Sequence, residues 1–84
     1  QLETIELEEA IQRCIENLPP DFRTVVVLSD IQGLNYQEVS KAIKKPLGTI
    51  KSRLARARLR LRDCLQNVRE LLPSALRLEE ETTL

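Results

Sequence analysis

Eight apolar residues, Leu47, Ile50, Leu54, Ala57, Leu61, Leu65, Val68 and Leu72, recur at spacings of 3, 4, 3, 4, 4, 3 and 4. Projected at about 100° per residue they fall within a stripe about 80° wide, which predicts one long helix with a single buried side, ended by Pro73. A chain of 84 residues has room for one small core, so the rest of the sequence must cover that stripe. No stretch alternates with period 2, and the expected class is all-α. Val25-Val26-Val27-Leu28 has strand propensity, but a lone strand could not satisfy its backbone, so it reads as helix.

The remaining boundaries follow from capping chemistry. Thr4 is a candidate N-cap, with Glu6, Glu8 and Glu9 at the positive end of the dipole, and Leu7, Ile11, Cys14, Ile15 and Leu18 as the apolar side of a first helix. Pro19-Pro20 stops it and places Pro20 in the first turn of a second helix. That helix carries Phe22, Val25, Val26, Leu28 and Ile31, with Gly33 at the position after its end. Asn35 followed by Glu38 is a capping box for a third helix, buried through Val39, Ala42 and Ile43 and closed by Lys44-Lys45. Pro46 disfavours helical geometry at Lys45, so only about three residues join the third helix to the fourth. Two helices joined by so short a turn form a helix-turn-helix candidate, with proline where glycine is frequent. The expected fold is a compact four-helix domain over residues 1–73 with a long last helix, followed by an acidic extension, 74–84.

Composition excludes most chemistry. The chain has no histidine, which removes Ser-His-Asp, Cys-His and His-ligated metal schemes, and its two glycines provide no phosphate-cradling loop. No catalytic residue, cofactor or metal site is expected. Cys14 and Cys64, fifty residues apart, read as ordinary thiols in a reducing cytosol rather than as a disulfide framework. No apolar run approaches the ~20 residues of a membrane span, so no membrane insertion is expected. With no methionine even at position 1, the chain reads as a piece of a longer protein.

The net charge of zero hides a segregation. Residues 1–40 carry two basic and eight acidic side chains, and residues 63–84 carry two and five. Between them, Lys41, Lys44, Lys45, Lys51, Arg53, Arg56, Arg58, Arg60 and Arg62 stand with no acid among them, so a polyanion is expected to meet this block. The alternative is a solvated helix face, which would need pairing acids that the block lacks, or a basic amphipathic helix for a membrane or an acidic protein. Against the latter, tryptophan is absent and the apolar stripe is needed for the core. An α-helix fits the major groove of B-DNA, and a helix-turn-helix sets the first turns of its second helix against base edges. Residues 47–56 suit that role, with Gly48 for close approach, the hydroxyls of Thr49 and Ser52, and the cations of Lys51, Arg53 and Arg56.

The runs Leu18-Pro19-Pro20, Phe22-Arg23 and Gly33-Leu34-Asn35-Tyr36-Gln37-Glu38-Val39-Ser40, then Pro46 through Arg58 (PLGTIKSRLARAR), resemble region 4 of bacterial sigma factors. The likeness is greatest to the extracytoplasmic-function group of the sigma-70 family and covers about residues 5–70. LuxR-type regulators share part of the outline but usually carry histidine where this chain has Arg53. The departures are small: Asn35 for Ser, Val39-Ser40 for Ile-Ala, and Lys44-Lys45 before the proline. The resemblance implies a winged-helix-like, region 4 type domain that recognises the −35 promoter element in double-stranded DNA. It also implies docking on the β flap of RNA polymerase, control by an anti-sigma factor, and a place in the bacterial cytoplasm. By position it assigns base-edge contacts to Lys51, Ser52, Ala55 and Arg56, and phosphate contacts to Lys41, Pro46, Gly48, Thr49 and Arg53. Two alternatives stay open: another helix-turn-helix regulator, and a protein-interaction module bound mainly by an anti-sigma factor.

Overall fold

The computed structural model describes residues 2–69, in which four helices follow one another without a strand. Helix α1 spans Leu2–Glu16, α2 Pro20–Val26, α3 Tyr36–Ile43 and α4 Leu47–Arg69. The all-helical class and the element order agree with the sequence. Leu72, Pro73 and the extension at 74–84 lie outside the described residues. Thr4 is not a cap, because α1 already begins at Leu2 and no breaking residue stands between Leu2 and Thr4.

Pro20 takes the first turn of α2, where its missing N–H costs nothing. Thr24 Oγ1 donates back to the Pro20 carbonyl at 2.9 Å. After Val26 the helix loosens into a π-helical stretch, Val27–Ile31, which the sequence did not signal. Gly33 then takes a left-handed φ of 80°, and the Leu34 N–H closes on the Leu28 carbonyl at 3.0 Å. That closure is one residue wider than a Schellman bond, in keeping with the π-helical turn before it, and it folds Leu28 and Leu34 onto the core from either side of the turn.

The capping box forms as the sequence predicts. Asn35 Oδ1 accepts from the Glu38 N–H and Glu38 Oε1 accepts from the Asn35 N–H, both at 2.8 Å. The helix-turn-helix turn solves its geometry in an unexpected way. Lys44 takes the left-handed conformation (φ 57°, ψ 48°), a place usually left to glycine or asparagine. The Lys45 N–H bonds to the Ser40 carbonyl, and Ser40 Oγ donates to the Lys45 carbonyl, so the turn is tied twice to α3. Pro46 then starts α4, its carbonyl accepting from the N–H groups of Thr49 and Ile50.

The core is one cluster: Leu18, Val25, Val26, Val39, Ile50, Leu54 and Ala57, with Phe22, Leu28, Leu34, Ile43 and Leu61 packed around it. It binds α2, α3 and α4 together and fixes which side of α4 faces outward. Three core expectations change. Ile31, read as part of the second helix's apolar side, is 58% exposed at the end of the π-helical stretch. Ala42 is exposed, because α3 is only eight residues long and turns Val39 and Ile43 inward instead. On α1, Cys14 and Ile15 are buried, as is Leu18 just beyond its end, while Leu7 and Ile11 stay 37% exposed. The helix meets the rest of the domain with its C-terminal half.

The cysteines correct the sequence more sharply. Cys14 of α1 and Cys64 of α4 form a disulfide, with their Cα atoms 5.9 Å apart. Distance along the chain hid this. Packing α1 against the second half of α4 brings two positions fifty residues apart onto facing helix surfaces.

Candidate nucleic-acid interface

The core stripe of α4 leaves the opposite side to solvent. Lys51, Ser52, Ala55 and Arg56 are all exposed there and form one continuous surface over the helix's early turns. Among the described residues neither Lys51 nor Arg56 takes part in an ion pair. The surface therefore offers two free cations, a hydroxyl and a methyl group, the set from which major-groove base edges are read.

Around it lie the residues assigned to the backbone. Lys41 on α3, Pro46 in the turn and Gly48 on α4 are exposed, and Thr49 is half-buried. The amides of Leu47 and Gly48 precede the first hydrogen bond of α4, so they stand free at a helix N-terminus, where the dipole favours an anion. A Cβ placed on Gly48 would meet nothing within 4 Å. Packing inside the domain thus gives no reason for glycine at this position, and any reason must come from outside it.

Arg53 differs from the other assigned residues. Its side chain is only 23% exposed and its Nη2 lies 3.7 Å from the Asp21 carboxylate of α2. Three further arginines of the basic block are also engaged. Arg58 grips Asp30 with two nitrogens, Nη2 to Oδ1 at 2.6 Å and Nε to Oδ2 at 3.1 Å, and its Nη1 lies 3.5 Å from the Tyr36 hydroxyl. The hydrogen bonds to Asp30 and then to Tyr36 bind its proton more tightly than usual, outweighing a small desolvation. Arg60 lies over the Phe22 ring, 5.3 Å from its centre, and Arg62 reaches Asp63 at 4.0 Å. The basic block has no acid of its own, but the fold supplies acids from other segments. The cations left without an acid partner among the described residues are Lys41 on α3, Lys44 and Lys45 in the turn, and Lys51, Arg56 and Arg60 on α4.

The structure adds residues that the sequence did not assign to the interface. Asn35, Tyr36 and Gln37 at the start of α3 line an open groove with Leu47 and Lys51 of α4. The capping box holds Asn35 in place, and Arg58 reaches across from α4 to Tyr36. The two helix starts form one surface. The place of Arg58 in the basic block was visible in the sequence, but its partner was not, since Asp30 lies 28 residues away.

Comparison with known proteins agrees with this geometry. The family model described as sigma-70, region 4 matches residues 8–61, which take in α2, α3, the turn and the exposed face of α4. The chain is 47% identical over 55 residues to the ECF RNA polymerase sigma factor SigE of Mycolicibacterium smegmatis, covering 66% of this chain and 21% of that protein. It is 36% identical over 61 residues to the RNA polymerase sigma-H factor of Pseudomonas aeruginosa, covering 73% and 32%. It is 42% identical over 53 residues to the ECF RNA polymerase sigma-E factor of Escherichia coli K12, covering 63% and 28%. The chain thus spans between a fifth and a third of the length of these relatives.

Proposed function

The chain belongs to the sigma-70 region 4 family, in its extracytoplasmic-function group, and we propose that it reads the −35 element of a promoter with the exposed face of α4. The observation that carries this reading is the unpaired surface of Lys51, Ser52, Ala55 and Arg56, set on a helix that follows α3 after a tight turn. Lys51 and Arg56 are the candidates for guanine O6 and N7, Ser52 for either hydrogen-bonding base edge, and Ala55 for a thymine methyl. Lys41, Pro46, Gly48 and Thr49 would position the phosphates, with Arg53 a weaker contributor because Asp21 already holds it.

The larger role follows from the relatives' names as RNA polymerase sigma factors. In this reading the domain, extending to about residue 73, docks on the β flap of the polymerase and helps direct transcription initiation in the bacterial cytoplasm. It acts by binding and carries no catalysis. An anti-sigma factor would hold it in reserve. The acidic α1, with Leu7 and Ile11 partly exposed, supports a protein-facing role for the first half of the chain, since its charge would repel phosphates. No helix among the described residues is long and apolar enough to cross a membrane.

The test is a titration of the protein with a duplex carrying its −35 sequence and with a shuffled duplex, repeated at several salt concentrations. Tighter binding to the promoter duplex, falling steeply with salt, is the expected result. Equal affinity for both would leave only a nonspecific polyanion site.

A further inference from the structure

The Cys14–Cys64 bond lies at the end of the domain away from the base-reading turns. Cys64 is twelve residues beyond Ser52, about 18 Å along the helix at ~1.5 Å per residue. None of the buried residues of α1, namely Ala10, Cys14 and Ile15, belongs to the cluster that joins α2, α3 and α4. Helix α1 is therefore a satellite, held to α4 by a small apolar contact and one covalent bond and to α2 at its C-terminal end, where Arg23 Nη1 donates to the Glu16 carbonyl at 3.0 Å. Both cysteines open onto a crevice whose polar rim is Glu6, Glu9, Arg13 and Asn17. Cys14 is 2% exposed and Cys64 is half-buried, so a reagent in the crevice has the freer approach to Cys64.

We infer that Cys14 and Cys64 form a thiol–disulfide exchange site that locks α1 onto α4 when oxidised and frees it when reduced. The inference rests on the promoter-binding reading in one respect: a protein that works on the chromosome meets a reducing thiol pool, where protein disulfides are mostly transient or sensory. The substrates are small thiols and their disulfides, or a dithiol protein. A reductant thiolate attacks Cys64 Sγ, the S–S bond breaks, and Cys14 leaves as a thiolate that takes a proton from solvent. Arg13, on the same crevice, is the cation available to stabilise that thiolate. A second thiolate attacks the mixed disulfide and releases Cys64. Two reductant thiols become one disulfide, and the protein gains two electrons and two protons. Oxidation by a small disulfide runs the same steps backward.

Reduction opens a loop of fifty residues and leaves the α2–α4 cluster intact. The order of α1, with its Leu7–Ile11 ridge and its acids, then follows the redox state while the base-reading face does not. The test is amide exchange read by mass spectrometry on the whole chain, equilibrated in oxidised glutathione or in dithiothreitol, with maleimide labelling as the thiol count. Oxidised protein should resist labelling. On reduction the α1 amides should exchange about tenfold to a thousandfold faster while α3 and the first half of α4 hold their protection. Cys64→Ala, a change at a half-buried position, should behave as the reduced form in both buffers. Equal α1 protection in the two states would overturn the inference. So would full maleimide labelling after oxidised glutathione, or loss of protection in every helix together on reduction. None of these readouts depends on DNA, so their failure is distinct from failure of the promoter reading.

Discussion

Gly48 separates what the domain needs from what its partner needs. A Cβ there meets open space, and the residue sits in the first turn of α4, so Gly48→Ala should leave thermal stability unchanged or raise it by up to about 1 kcal/mol. If a phosphate approaches that backbone, the same methyl should weaken DNA binding. Melting followed by a DNA titration checks both halves, and unchanged affinity would remove Gly48 from the interface. Arg58 makes the opposite case. It belongs to the basic block by sequence, yet its charge is spent on Asp30. The pair is partly exposed, so breaking it with Arg58→Met should cost only about 1 kcal/mol of stability. The salt dependence of DNA binding should keep its slope, whereas Lys41→Ala should flatten it by about 0.9 for one lost phosphate contact. Equal flattening in both variants would mean that Arg58 leaves Asp30 to meet DNA.

At the scale of elements, the turn between α3 and α4 carries strain that the core has to overcome. Lys44 is held at φ 57°, so Lys44→Gly should stabilise the domain by about 0.5–1 kcal/mol, net of the freer unfolded chain. In a domain this small that is a rise of roughly 2–8 °C in melting temperature. Ile50 and Leu54, both essentially without exposure, set the other limit: truncating either to alanine should cost about 2–5 kcal/mol and show as a lower melting temperature. Native melting with lost DNA binding would mean that α4 turns a different face to the core. These two cases also show what a sequence can reveal. The stripe of α4, the Asn35–Glu38 box and the stop at Gly33 were legible because each depends on neighbours within a turn or two. The Cys14–Cys64 bond was not, because it is imposed by packing between segments far apart in the chain, and neither the π-helical stretch nor the left-handed Lys44 carries the glycine that would have marked it. The base-edge candidates fall on the exposed side of α4 for the reason that the stripe was readable: the outward face is what the buried one leaves.

For the whole molecule, the balance of charge matters more than its sum. The chain is neutral, but Arg53, Arg58 and Arg60 of α4 are held by Asp21, Asp30 and the Phe22 ring, which bind the helix to the domain and leave the cations of the turn free. Nine phosphate contacts would give a slope of log affinity against log salt near −8, while the six cations without an acid partner set a limit of about −5.4. The smaller value follows from the fold, and the larger one from the sequence block taken alone. The acids of α1 stand apart from this surface, so one small domain can present a basic face to DNA and an acidic face to protein.

The central claim is that Lys51 and Arg56 read bases rather than merely neutralise phosphates. The measurement that tests it most directly is the ratio of affinities for a −35 duplex and a shuffled duplex, taken for the wild-type chain, Lys51→Ala and Arg56→Ala at one salt concentration. Each lost bidentate base contact should reduce that ratio by about 1–3 kcal/mol, roughly five- to 150-fold, with the melting temperature unchanged. A ratio that stays at the wild-type value, with both duplexes bound more weakly by the same factor, would contradict the claim and leave α4 a phosphate-binding helix.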